Sequence, residues 1–325
     1  MPIDLSAAGF SGRFTALNGT RTLFPSHADI IRSLLTVGYP SRRHAIRLVG
    51  SWRETMLVAM ATGYLQPSLH TTSYYRSLEQ TEKVGVSFLL GEAFTHWYAQ
   101  SQMKVTILLH VASLASCRWA TTTMPVTPKV GAAPPPPKSR PDFIGLRCRE
   151  RHVFESKGRT RAPGAGTVSK ALGQVSALHT VNGRPPTTRC ANFFMFKASG
   201  AQGRIIDPPG IGKGIDLRFD EFEAMTRAYS FFLDRPVGDL SDKVGEGYVG
   251  REIDDGVFFA IDAKVYAALQ EMPPTRRGRM RRYLEVSDIL ERNVQRFESR
   301  RDGGVSAGPD GLLLVDRRPP GSRDG

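Results

Sequence analysis

The sequence predicts an α/β protein whose core lies between residues 79 and 210 and runs helix, strand, hairpin, helix, strand. Three observations lead there. Glu79–Gln100 carries apolar residues at helical spacing, Asp142–Cys148 and Arg151–Lys157 are strand-like segments joined by a tight turn, and Cys190–Lys197 (CANFFMFK) is a short apolar run. Around this core, residues 1–78 are expected to form a helical N-terminal extension, 211–301 an α/β accessory region, and 302–325 a disordered tail rich in Gly, Asp, Arg and Pro.

Each element has its own warrant. In the N-terminal part, Ile30–Leu35 and Thr55–Ala61 have apolar helical patterning among Gly, Ser and Thr turns. In Glu79–Gln100 the residues Val84, Phe88, Phe94, Trp97 and Tyr98 form one helical face, which Glu92 interrupts. Lys104–Val111 (KVTILLHV) is short, β-branched and apolar, as a buried strand requires. Pro134–Pro137 can continue neither a helix nor an inner strand and mark a loop in Thr121–Arg140. Thr167 is the expected cap of a helix reaching about Thr180, which Asn182-Gly183 and Pro185-Pro186 end. Further on, helices are expected over Asp216–Asp234, Lys264–Gln270 and Val286–Arg300, and a strand over Gly256–Ile261.

Composition narrows the chemistry. The chain has 325 residues and a formal net charge of +13. Residues 129–190 hold twelve Lys/Arg against three Asp/Glu and so carry most of that excess. Such a block suits a polyanionic partner. Met1–Gly19 lacks a basic segment followed by a long apolar core, and no apolar run approaches the roughly 18–20 residues that span a bilayer. A cytoplasmic protein without a membrane partner is expected. Cys117, Cys148 and Cys190 are too few and too scattered for a disulfide framework or a thiolate zinc site. No HxxxH, HExxH or GxxxxGK[ST] pattern occurs, and the Gly210–Gly214 run (GIGKG) reads as a connector.

The residues that carry chemistry are Asp142, after Pro141, and the tripeptide Glu155-Ser156-Lys157. Side chains alternate along a strand, so Glu155 and Lys157 share a face about 7 Å apart. If Asp142 opens one hairpin arm and Glu155 closes the other, two carboxylates meet at one end of adjacent strands. Two hard oxygen ligands with open water positions suit Mg²⁺, with Mn²⁺ as a substitute. A metal there would activate water against a phosphodiester, and the Lys157 ammonium would position or polarise that water.

These residues, in this order of elements, resemble the PD-(D/E)XK, or restriction-endonuclease-like, nuclease superfamily over about residues 79–197. The resemblance implies an αβββαβ core with a central mixed sheet flanked by helices, and a Mg²⁺-dependent endonuclease that hydrolyses DNA, in defence against foreign DNA or in repair. It also implies residue roles. Asp142 and Glu155 would be metal ligands, Lys157 the catalytic lysine, and the Ser156 carbonyl a further ligand. Glu92 sits where many members place an extra acidic residue near the metal, and Gln174 where many carry a catalytic-site glutamine. Where some branches follow that glutamine with a tyrosine five residues on, this chain has His179, a departure.

Chance supplies about one acid-x-Lys tripeptide in a chain of this length. A second, Asp262-Ala263-Lys264 preceded by Asp254 and Asp255, competes with the first. Context favours Glu155, because Asp255 to Asp262 leaves no room for two paired strands. Solvent-facing edge-strand charges remain the plain alternative for Glu155 and Lys157, and an acid at the rim of an apolar face for Glu92. The residues expected to bind nucleic acid, double-stranded DNA in the first instance, are Arg140, Arg147, Arg149, Arg151, Arg159, Arg161 and Lys170, lining one groove at the metal site. Arg276–Arg282 forms a second basic cluster. Cutting both strands would call for a homodimer, although no residue pattern specifies one. The alternative function is a catalytically inactive nucleic-acid-binding or interaction protein on the same fold.

Overall fold

The computed structural model describes residues 3–38, 52–114, 117–121, 140–210, 214–294 and 304–318. The expected proline loop, Lys129, Lys138 and most of GIGKG lie outside them. The chain opens with β1 (Ile3–Ala8) and β2 (Gly19–Leu23), followed by α1 (His27–Val37), α2 (Trp52–Tyr64), α3 (Ser73–Ser77) and the long α4 (Gln80–Met103). Next come β3 (Ile107–His110), β4 (Arg118–Thr121), β5 (Phe143–Arg147), β6 (Glu150–Arg159), α5 (Ala165–Ser176), β7 (Leu178–Val181), β8 (Thr188–Lys197) and β9 (Gly200–Ile206). The C-terminal part holds β10 (Ile215–Arg218), α6 (Glu221–Ala228), α7 (Ser230–Leu233), β11 (Gly238–Asp239), α8 (Ser241–Val244), β12 (Tyr248–Asp254), β13 (Val257–Asp262), α9 (Ala263–Leu269), α10 (Arg276–Arg292), β14 (Val305–Ala307) and β15 (Leu312–Asp316).

The molecule is mixed α/β, with a central mixed sheet flanked by helices. Among the described residues that sheet has seven strands in the order β2-β1-β9-β8-β6-β5-β3. β3, β5 and β6 are successive antiparallel neighbours, and β8 returns parallel to β6 after α5. β6 is therefore an inner strand, and its run from Arg151 to Ser156 is buried. The hairpin expectation holds to within two residues. α4 starts on Glu79, whose carboxylate accepts from Thr81 N–H while Glu82 returns the bond, and it ends at Lys104 in the left-handed region at φ 57°.

Five expectations are corrected. Residues 1–78 are not a purely helical extension: β1 pairs parallel with β9 and antiparallel with β2, inside the main sheet. The alternation of buried Ile3, Leu5 and Ala7 with exposed neighbours is the strand signal, carried on residues too small to stand out. The tail is not wholly disordered, because β14 and β15 close a sheet of order β11-β12-β13-β15-β14 and Leu312–Asp316 is buried throughout. The helix expected to run to Thr180 stops at Ser176 and gives way to β7, which pairs with β10. The helix expected over Asp216–Asp234 is a strand and two short helices, and the charged helix expected from Val286 starts at Arg276.

The tail strands are tied to the N-terminal helices by a buried polar network. Arg32 donates to Ser306 Oγ at 2.9 Å and to Gln100 Oε1 at 2.9 Å. Gln100 Nε2 in turn donates to Asp310 Oδ2 at 2.8 Å, and Ser306 Oγ donates to Asp29 Oδ1 at 2.6 Å. Pairing a buried guanidinium with a carboxylate and hydroxyls offsets the cost of taking its charge out of water. No described helix is long and apolar enough to cross a membrane. Cys117, Cys148 and Cys190 are free thiols.

Candidate metal centre

The centre forms where the β5–β6 hairpin passes under α4. The register pairs Phe143 with Phe154, so one more step sets Asp142 opposite Glu155. Directly opposed residues of an antiparallel pair point to one face with Cβ atoms about 5 Å apart. The two carboxyls are close enough that the Asp142 charge acts directly on Glu155. Asp142 is held further by Ser156 N–H, which donates to its Oδ2 at 2.8 Å. Lys157, two residues along the same face, makes an ion pair with Glu155 Oε1.

Burial sets the electrostatics. Glu155 is 0% exposed and Glu92 4% exposed. Burial, with the neighbouring Asp142 charge, pushes the Glu155 carboxyl up to about 7, against the opposing pull of Lys157. Burial also raises Asp142, opposed by the Ser156 N–H and by Lys157. Glu92 is pushed up to about 9 by burial and then by Asp142, with Arg53 and Lys157 acting the other way. These three acids thus feel one another from α4, from the residue before β5, and from β6, which rules out solvent-facing edge charges for Glu155. Among the described residues, no three His, Cys, Asp or Glu side chains are already gathered around one cation position. Asp142 and Glu155 converge, and Glu92 stands within electrostatic reach of them.

Two carboxylates on opposed residues, that of Glu155 fully buried, match the hard oxygen donor set that Mg²⁺ takes with several waters. Glu155 Oε2 is buried without a hydrogen-bond partner among the described residues, which leaves a lone pair for a cation. Asp142 and Glu155 would hold the metal, with the Ser156 carbonyl in the same segment. Gln174, on α5, donates through Nε2 to the Arg140 carbonyl at 3.0 Å. It thereby anchors the chain entering Pro141-Asp142. Its Oε1 is buried without a hydrogen-bond partner among the described residues.

The competing tripeptide has a structural explanation. Asp262 caps α9, its Oδ1 accepting from Lys264 N at 2.9 Å and Val265 N at 3.3 Å. Capping Asp is worth about 1 kcal/mol to a helix and needs no metal.

The basic residues do not line one groove, which corrects the expectation. Arg140 lies close enough to Asp142 to favour its charge, and Arg159 and Arg161 follow Lys157 at the carboxylate end of β6. Lys170 is exposed on α5. Arg147, Arg149 and Arg151 sit instead near the hairpin turn, about 20 Å away along a strand rising roughly 3.3 Å per residue. Arg147 donates to the Met103 carbonyl at 2.9 Å, and Arg151 is buried in an ion pair with Glu221. In the second cluster, Arg279 pairs with Asp220 at 2.7 Å and Arg282 with Glu285 at 3.0 Å. Linear proximity misled because a ten-residue strand separates its two ends.

Two features escaped sequence reasoning. Arg53, on α2, brings positive charge to Glu92 with no motif to announce it. Val84 and Phe88, expected on the buried face of α4, are instead exposed beside Lys157, at 59% and 47%. Their spacing of four residues marks a shared helix face, but nothing in it tells an outward face from an inward one. Comparison with family models, with curated proteins and with solved structures returns no match for this chain.

Proposed function

We propose that the protein is a metal-dependent endonuclease, hydrolysing DNA phosphodiester bonds on a restriction-endonuclease-like core formed by α4, β3, β5, β6, α5 and β8. The observation that carries this reading is the convergence of Asp142 and Glu155 across an inner hairpin with Lys157 on the same face. Two opposed carboxyls beside a single lysine, that of Glu155 fully buried, cost stability, so their retention needs a reason beyond packing.

A divalent ion bound there supplies Lewis-acid activation of water and shielding of the phosphate. The chain's own residues do the rest. Asp142 and Glu155 provide the anionic oxygens, and Ser156 N–H fixes the orientation of the Asp142 carboxylate. Lys157 carries a compact ammonium at the site, suited to orienting the attacking water and to offsetting charge that grows on the phosphate oxygens. Gln174 holds the main chain at Arg140, and Glu92, buried within electrostatic reach of Asp142 and Glu155, is the further acid that the ion would draw on. Arg140, Arg159 and Arg161 provide the positive surface that takes flanking phosphates.

The test is cleavage of supercoiled plasmid and of a labelled oligonucleotide in Mg²⁺, with wild type beside Glu155→Gln and Lys157→Ala. Wild type is expected to cut and both variants to lose at least about a hundredfold in rate. Equal cleavage by all three would remove the assignment, and tight binding without cleavage by wild type would favour a nucleic-acid-binding protein on the same fold.

A further inference from the structure

Next to Lys157 lies a cavity of about 720 Å³, lined by Val84, Ser87 and Phe88 of α4 and by Ser156–Arg161. Its floor is the close approach of the two elements: a Cβ on Gly158 would fall 1.6 Å from the Ser87 carbonyl oxygen, so glycine leaves the backbone itself as the floor. One wall is apolar, formed by Val84 and Phe88, with Phe88 47% exposed. The other carries Arg159 and Arg161, and Arg159 is steadied by a hydrogen bond from its Nη2 to Thr167 Oγ1 at 3.2 Å. Buried Ser156, whose Oγ has no hydrogen-bond partner among the described residues, belongs to the same lining.

An exposed aromatic ring and guanidinium groups lining one cavity are the combination by which proteins hold unpaired bases, the ring stacking and the cations taking the phosphates. Because Lys157 belongs both to this cavity and to the carboxylate pair, an occupant would be contiguous with a phosphate at the metal centre. A base inside an intact duplex presents only its edges, so it cannot stack on a protein ring without leaving the helix. We infer that this cavity takes one unpaired nucleobase of the strand being cut, stacked on Phe88 with Arg159 and Arg161 on its phosphates. The substrate is then single-stranded, overhanging or locally unpaired DNA in preference to closed duplex. This deepens the nuclease reading and rests on it for the identity of the neighbouring phosphate.

The experiment measures binding in EDTA, where no metal-dependent cutting occurs. Oligonucleotides containing 2-aminopurine are titrated as a single strand, a duplex with an overhang and a blunt duplex, against wild type, Phe88→Ala and Phe88→Trp. Wild type is expected to bind the single strand and the overhang more tightly than the blunt duplex, and to quench 2-aminopurine. Phe88→Ala should weaken single-strand binding about five- to a hundredfold and abolish quenching, leave blunt-duplex binding unchanged, and be rescued by Phe88→Trp. Single-strand affinity and quenching unchanged in Phe88→Ala would overturn the inference. The same wild-type preparation assayed with Mg²⁺ then separates the two claims: cutting with Phe88-independent binding leaves the nuclease reading intact and removes only the base pocket. Phe88-dependent binding without cutting supports the pocket and removes the nuclease reading.

Discussion

Gly91 of α4 and Gly158 of β6 touch backbone to backbone: a Cβ on Gly91 would lie 2.5 Å from Gly158 N. The contact brings Glu92 on the helix to the strand that carries Glu155 and Lys157. A methyl group at either glycine has no flexible side chain to displace. Gly158→Ala and Gly91→Ala are each expected to destabilise the protein by about 1–3 kcal/mol or more, the usual cost of overpacking a core. Urea unfolding reads the effect, and a Gly158→Ala protein as stable as wild type would show that helix and strand lie further apart.

Arginines in one stretch of sequence should separate by function. Arg151 is buried against Glu221, at 5% exposure on each side. Arg151→Ala leaves a carboxylate unpaired in the interior and should cost roughly 3–5 kcal/mol of stability. Arg161→Ala, on the surface beside Lys157, should leave the melting temperature unchanged and reduce the salt dependence of DNA binding by about one counterion-equivalent. Unfolding curves and binding at several salt concentrations check both, and a reversed pattern would contradict the division.

Asp207 gives a pH signature away from the candidate metal centre. Burial pushes its carboxyl up to about 6, against the Arg189 N–H that donates to Oδ1 at 2.6 Å and the Arg189 charge. A raised folded pKa means the folded state holds the proton more tightly. Its stabilising contribution is therefore complete below the unfolded value of 3.8 and is lost as pH rises through about 6. Asp207→Asn is uncharged throughout that window, and its amide oxygen can still accept from Arg189. Relative to wild type, the variant should gain on the order of 2 kcal/mol in unfolding free energy between pH 4.5 and 7.5. A constant difference across that range would mean that Asp207 titrates normally.

The buried charge network at Arg32 sets a prediction for the tail. Asp310 is buried and meets Arg32, Gln100 and Tyr229, whose hydroxyl donates to the Asp310 carbonyl at 2.6 Å. Truncation after residue 303 removes β14, β15 and this carboxylate together. The shortened chain is expected to unfold at markedly lower urea concentration, by the 3–5 kcal/mol typical of an orphaned buried ion. An unchanged midpoint would show that the tail is dispensable.

Strand geometry made Asp142, Glu155 and Lys157 legible, because a period of two and a tight turn leave little freedom in where side chains of a hairpin point. Composition hid β15, since Leu312–Val315 is a short apolar run inside a segment dominated by Gly, Arg, Asp and Pro. Small residues hid β1, where Ser6, Ala7 and Ala8 dilute the alternation. Helical spacing grouped Phe88 with Phe94 correctly as apolar but could not say that only the second is covered, because covering depends on where β6 crosses α4. Charge density in the sequence was likewise blind to direction. It counted Arg151 and Arg159 as neighbours, although they occupy opposite ends of one strand.

The central claim is that Asp142 and Glu155 together hold a divalent cation, and anomalous diffraction from crystals soaked in Mn²⁺ tests it most directly. A single anomalous peak within about 2.0–2.3 Å of an oxygen of each carboxylate is expected, absent from crystals of Glu155→Gln. No peak between the two residues at saturating Mn²⁺, or the same peak persisting in Glu155→Gln, would contradict the account.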